Sequence, residues 1–323
     1  MKTGHDSGLT LRLGTRGSRL ARAQSAWVAT RLERLGHSIE TVIVETRGDA
    51  DRDRPFAQIG APGLFVRELE HALQAGRVDL VVHSFKDLPS ISPPGLIIAA
   101  VPERLDPADH LLIRPEALQA DRDGDLLPLI EGARVGTASA RRRALVRHLR
   151  PDVEVGLLRG NVPTRLDKLR RGEHDAILLA GAGLERLDRA GGLDRHDILE
   201  RRLDPTVFVP APAQGALALQ VRDGGGADGR IRQAVTALDE PAVHRAVTAE
   251  RELLARAEGD CSLAFGAWCR LDGGMLRMDA VLGTSGGDVR RVGGTGDDPR
   301  ALAASLAPTL LGRAAGERPE PHP

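Results

Sequence analysis

From residue 9 to about residue 203, short apolar runs alternate with stretches of helical periodicity. That alternation restricts the chain to folds in which strands are joined through helices lying on a sheet. Leu9–Leu13 reads as the first strand. Ser18 caps the helix behind it, with Leu20, Ala23, Trp27 and Leu35 near one stripe and Gly36 as the stop. Ile39–Thr46 is the next strand, Leu64–Ala75 a helix ended by Gly76, and Val78–His83 a buried strand running into Lys86-Asp87. Between them, Gly48–Gly63 is polar and rich in Gly, Pro and mixed charge, which predicts a mobile loop.

A second βα series covers about Asp106 to Leu203. Its strands are Arg134–Gly136, Val153–Leu158 and Ala176–Ala180, and its helices Ser139–Leu149, Val162–Arg171 and Gly183–Arg189. The apolar run Ala216–Val221 has no local βα partner and is expected to return to the first sheet. From about Gly229 the texture becomes two helices, three short strands with Gly-rich turns and a last helix at Pro299–Leu311. The expected architecture is α/β, with two βα domains on parallel-type sheets and a small α+β C-terminal domain. The divisions fall at 9–103 with 210–228, 104–209 and 229–313, leaving 314–323 as a tail.

Composition narrows the function. The 45 basic and 45 acidic residues cancel, so no overall field draws the chain to nucleic acid or membrane, and an anion site must be a local cluster. Two cysteines cannot build a disulfide framework or a thiolate zinc site, and the ten histidines show no metal-ligand spacing, so no metal is expected. The first residues carry no apolar leader pattern, and no apolar run reaches the ~20 residues of a membrane span; a soluble cytoplasmic protein is expected. Gly-rich Asp223–Gly226 lacks a strand–Gly–helix context and reads as a linker.

Arginine supplies 42 of the basic residues, lysine only Lys2, Lys86 and Lys168. Arginines recur where strands pass into helices: Arg16, Arg141, Arg142, Arg159 and Arg165, beside the hydroxyls of Thr15, Ser18, Thr137 and Ser139. Carboxyl ends of parallel strands form ligand crevices, helix N-termini there offer free N–H groups, and guanidinium forks hold carboxylates bidentately. In a chain this rich in arginine, solvated surface is the alternative. Asp87, in His83-Ser84-Phe85-Lys86-Asp87-Leu88-Pro89, suits stabilising a cation on a substrate, or makes a surface pair with Lys86. Cys261 lies in the polar turn Glu258-Gly259-Asp260-Cys261-Ser262, as a nucleophile, an attachment point or simply an exposed thiol. Cys269 sits in an apolar strand pattern and reads as inert core.

Several of these segments stand in the order found in one family. Thr15-Arg16-Gly17-Ser18, Thr46-Arg47-Gly48-Asp49, Gly63-Leu64-Phe65-Val66-Arg67-Glu68-Leu69-Glu70, His83–Pro89, Leu158-Arg159-Gly160-Asn161-Val162, Gln214-Gly215-Ala216, and Thr248-Ala249-Glu250-Arg251 with Cys261 resemble the hydroxymethylbilane synthase (porphobilinogen deaminase) family. The resemblance runs from about Leu9 to Leu311. It implies two periplasmic-binding-protein-like domains with the active site between them, and a third carrying a dipyrromethane cofactor on the cysteine matching Cys261. It implies a transferase of tetrapyrrole biosynthesis that condenses four porphobilinogen molecules head to tail, with loss of four ammonia, to hydroxymethylbilane. By matching position, Asp87 would be catalytic, stabilising the cationic azafulvene formed as ammonia leaves. Lys86, Thr137, Ser139, Arg141, Arg142 and Arg159 would hold the cofactor, and Arg16, Ser18, Gln24, Arg165 and Arg186 the substrate. Gln58, Pro62, Ala138 and Pro163 depart from the usual family residues. A binding protein for a small di- or polycarboxylate is the competing reading.

Overall fold

The computed structural model describes residues 8–45, 64–122, 124–257, 263–284 and 287–312. It divides into two units, Met1–Arg104 with Ala216–His244, and Leu105–Gly215 with Arg245–Pro323. The expected loop Gly48–Gly63, Cys261 and the tail lie outside the described residues.

The first unit is a five-stranded sheet built from β1 (Thr10–Thr15), β2 (Ser38–Ile43), β3 (Leu80–Ser84), β4 (Leu96–Ala100) and β10 (Leu217–Arg222), in the order β2-β1-β3-β10-β4. β1 runs parallel to β2 and β3. β10 returns between β3 and β4, antiparallel to both, as its unpartnered apolar run implies. Both faces of the sheet are covered, which is why Leu80-Val81-Val82-His83 is buried without alternation. Leu80 and Val82 pack with Leu11, Leu13, Val28 and Leu32, bringing α1 (Arg19–Arg34) onto one face. Val78 and Val81 pack with Leu69, Ala72 and Leu73 of α2 (Leu64–Gln74). Each such fully buried Leu or Val contributes about 1.5–3 kcal/mol.

The second unit repeats the plan. β5 (Asp109–Ile113), β6 (Arg134–Gly136), β7 (Glu154–Gly156), β8 (Ala176–Ala180) and β9 (Leu199–Arg202) lie in the order β7-β6-β8-β5-β9. β6 is parallel to β7 and β8, while β5 is antiparallel to β8 and β9. Helices α3 (Ala140–Leu149), α4 (Val162–Arg170) and α5 (Gly181–Arg189) follow the parallel strands. Both sheets are therefore mixed, where the βα alternation suggested parallel ones: the antiparallel strands enter from sequence-distant segments that local pattern does not connect.

α6 (Gly226–Thr236) corrects the reading of Asp223–Gly226 as a linker, since Gly226 already opens the helix. Glycine carries no helix signal; Ile231 and Val235, packed on the first sheet, hold this one. C-terminal to it, α7 (Pro241–Ala257), the antiparallel strands β11 (Ala264–Asp272), β12 (Met275–Gly283) and β13 (Val289–Gly296), and α8 (Pro299–Leu311) share a core of Leu253, Phe265, Ala267, Leu276, Met278, Leu302, Leu306 and Leu310.

Candidate active site

In the first unit the candidate residues gather at the carboxyl ends of β1 and β3. Ser18 has extended backbone and accepts a hydrogen bond from the Ala21 N–H (3.3 Å), so it caps α1, with Arg16 half-buried two residues earlier. Gln24, buried on α1, donates from Nε2 to Ser84 Oγ (2.7 Å) at the end of β3. A single 3-10 turn, Phe85–Asp87, follows. Phe85 and Leu88 are buried on either side, the Phe85 N–H donates to Ala216 O (3.1 Å), and the Leu88 N–H closes the turn on Phe85 O (3.2 Å). Lys86 and Asp87 are exposed between these anchors. Beneath them, His83 Nε2 bonds Gln220 Oε1 (3.0 Å), and Gln220 Nε2 donates to Glu70 Oε1 (3.2 Å). Burial pushes the His83 imidazole down to about 4, and burial pushes the Glu70 carboxyl up.

In the second unit the candidates follow β6, β7 and β8. Thr137 is buried and its Oγ1 accepts from the Ser139 N–H (3.1 Å). Ser139 caps α3, accepting from the Arg142 N–H (3.4 Å). Arg141 and Arg142, on the first turn of α3, are only 4% and 6% exposed, and both reach Asp109, which is 0% exposed. Arg141 Nη1 donates to Asp109 Oδ2 (2.7 Å) and Val209 O (2.8 Å). Arg142 donates from Nε (3.0 Å) and Nη2 (2.6 Å) to Asp109 Oδ1, and from Nη1 to Leu178 O (2.8 Å). Burial alone would raise the Asp109 carboxyl, but the charges and hydrogen bonds of Arg141 and Arg142 outweigh it and hold the group well below the usual carboxylate range. At the β7–α4 junction Arg159 is exposed, Asn161 caps α4, and Arg165 Nε folds back onto Gly160 O (2.7 Å). Arg186, on α5, donates to Gly215 O (2.7 Å).

Sequence reasoning gave no role to three residues here, Asp109, Gln214 and Glu250, the last two standing only within quoted motifs. Asp109 opens an apolar run, a place where an acid demands a buried cation. Gln214 donates from Nε2 to Asp109 Oδ1 (2.9 Å) and Pro107 O (2.7 Å). Glu250, 0% exposed, accepts from the N–H groups of Ala213 and Cys269, both at 2.6 Å. Ala213 is the non-glycine residue with positive φ (59°) among those described, so Glu250 secures a strained turn.

Two family models match the chain: "porphobilinogen deaminase, dipyromethane cofactor binding domain" over residues 11–228, and "porphobilinogen deaminase, C-terminal domain" over 244–312. The chain belongs to the porphobilinogen deaminase family. A porphobilinogen deaminase of Roseiflexus castenholzii is 44% identical over 94% of this chain and 96% of its own length. That of Deinococcus deserti is 41% identical over 95% and 96%, and that of a Caulobacter species 46% over 83% and 82%. Among solved structures, a Salmonella typhimurium periplasmic binding protein with high arginine specificity aligns over 73% of this chain and 94% of its own at 12% identity, TM-score 0.38.

The second unit's edge fits the dipyrromethane of porphobilinogen deaminases, which carries carboxylates. One buried carboxylate faces two guanidiniums, so the cluster stays cationic, and Arg141 Nε is buried with no hydrogen-bond partner among the described residues. Of the two cysteines, Cys269 is buried in β11 and Cys261 lies outside the described residues. No helix among the described residues is long and apolar enough to cross a membrane.

Proposed function

We infer that this chain is a hydroxymethylbilane synthase: it condenses four porphobilinogen molecules head to tail, with loss of four ammonia, and releases hydroxymethylbilane by hydrolysis. The observation that carries the reading is the family match over nearly the whole chain, with both porphobilinogen deaminase domains in order. A carboxylate-binding protein without turnover would need only the arginines, and is not favoured.

When bound through Cys261, the dipyrromethane supplies the pyrrole carbon that attacks the incoming substrate. Arg141, Arg142 and Arg159, with Thr137, Ser139 and Lys86, hold its acetate and propionate groups by charge-assisted hydrogen bonds. Arg16, Arg165 and Arg186, with Ser18 and Gln24, receive the substrate's carboxylates. Ser18, Arg165 and Arg186 also bond backbone groups, and Gln24 the Ser84 hydroxyl, so each grips from an already fixed position. Asp87 is the catalytic residue. As ammonia departs, positive charge spreads over the substrate pyrrole, and a fixed carboxylate stabilises that charge more than it stabilises the neutral substrate. The protein works as a cytoplasmic monomer.

The test is to supply porphobilinogen to the purified protein and follow its consumption with release of ammonia. One ammonia per porphobilinogen, with hydroxymethylbilane as product, is the expected result. Stoichiometric binding without turnover would replace the enzyme with the carboxylate-binding protein.

A further inference from the structure

The buried charge cluster of the second unit contains a residue to which neither composition nor motif order assigns a part. Asp109 is the first residue of β5, and because β5 runs antiparallel to β8 it pairs with Ala180, the last residue of β8. That register places a fully buried carboxylate at the edge where β6 and β8 end. Its Oδ1 accepts three donors, Arg142 Nε, Arg142 Nη2 and Gln214 Nε2, and its Oδ2 accepts Arg141 Nη1. Each guanidinium has a second anchor, Val209 O for Arg141 and Leu178 O for Arg142. Gly266 clears the space: a Cβ there would lie 2.8 Å from Val209 O and 3.0 Å from Arg141 Cδ.

We propose that Asp109 is a positioning residue, holding Arg141 and Arg142 side by side so that a carboxylate-bearing ligand meets two guanidiniums already oriented and no longer repelling one another. Arginine side chains are long, and two of them adjacent on one helical turn diverge unless an anion lies between them. A single carboxylate achieves this and leaves the pair cationic, and the unmet Arg141 Nε–H remains as a donor. Gln214 contributes a neutral donor that holds Asp109 without adding charge. The proposal rests on the reading that this edge receives pyrrole carboxylates.

The experiment compares the parent with Asp109→Asn and Gln214→Met for three readouts: the fraction of purified protein carrying the dipyrromethane mass, KM against kcat for porphobilinogen, and melting temperature. The amide of Asp109→Asn turns an N–H group towards one guanidinium, so that arginine swings away. The loaded fraction should fall below about half, while KM and kcat per loaded molecule each change by less than about threefold, because Arg16, Arg165 and Arg186 still receive the substrate and Asp87 is untouched. A lower melting temperature with parental loading would make Asp109 a holder of the fold alone and overturn the proposal. If Asp109→Asn does not fold, Gln214→Met decides: a loaded fraction reduced by about a quarter or more supports it, and parental loading overturns it. A parent that neither carries pyrrole nor consumes porphobilinogen overturns the functional reading first, and this proposal with it.

Discussion

A carboxylate exposed on a turn whose flanking residues are buried keeps a fixed position without losing its own hydration. Asp87 has this arrangement, between buried Phe85 and Leu88. Removing one well-placed electrostatic partner costs roughly 2.7–4 kcal/mol, about 10²–10³ in rate. Asp87→Asn should therefore lose that much turnover while keeping its covalent pyrrole, and Asp87→Glu should retain measurable activity; a porphobilinogen assay with intact masses checks both. His83 provides a pH test. It is neutral in the folded chain down to about 4, against 6.5 when unfolded, so between those values the unfolded state binds the extra proton. Stability is complete above 6.5 and falls by about 3 kcal/mol as pH drops to 4. Glu70, with its folded value raised, acts in the opposite sense, losing stability as pH rises past its unfolded value. Urea titrations at pH 7 and 5 should show a shallower loss for His83→Gln than for the parent. The sequence showed that arginines sit at strand ends, but not that Arg141 and Arg142 are buried on Asp109. Asp109 lies between them and relieves the repulsion of two adjacent cations. That partner lies 32 and 33 residues upstream, across the sheet, where helical or strand periodicity cannot point to it.

Local signals were strong for some elements. Ser18 and Ser139 announce α1 and α3, and both act as caps. β9 was not legible: Leu199-Glu200-Arg201-Arg202 is exposed throughout, and only its pairing with β5 makes it a strand. β5 was obscured by its polar head, Asp109-His110, of which Asp109 is buried against Arg141 and Arg142. The turn before β10 depends on backbone geometry. Gly215 has φ +89°, and a Cβ there would lie 2.4 Å from Leu105 O, a backbone atom that cannot rotate away. Gly215→Ala should cost about 2 kcal/mol or more, read as a melting temperature several degrees lower. An unchanged melting temperature would show that the turn relaxes without cost.

Across the whole molecule, two sheets of the same strand plan each bring polar and charged side chains to the carboxyl ends of their parallel strands, and zero net charge leaves those clusters as the local fields. The plan was visible in the alternating apolar and helical segments, and motif order supplied the chemistry. The antiparallel insertions β5 and β10 close on distant segments, and only β10 betrayed itself, by being apolar without a partner. The central claim is that a tetrapyrrole-building enzyme carries its primer on Cys261. The most direct measurement is the intact mass of protein purified from a pyrrole-competent host, with mass spectrometry of its two cysteine peptides. The expected mass exceeds 34.5 kDa by one dipyrromethane, located on Cys261, with Cys269 unmodified in its buried strand. An unmodified Cys261 in such protein would contradict it.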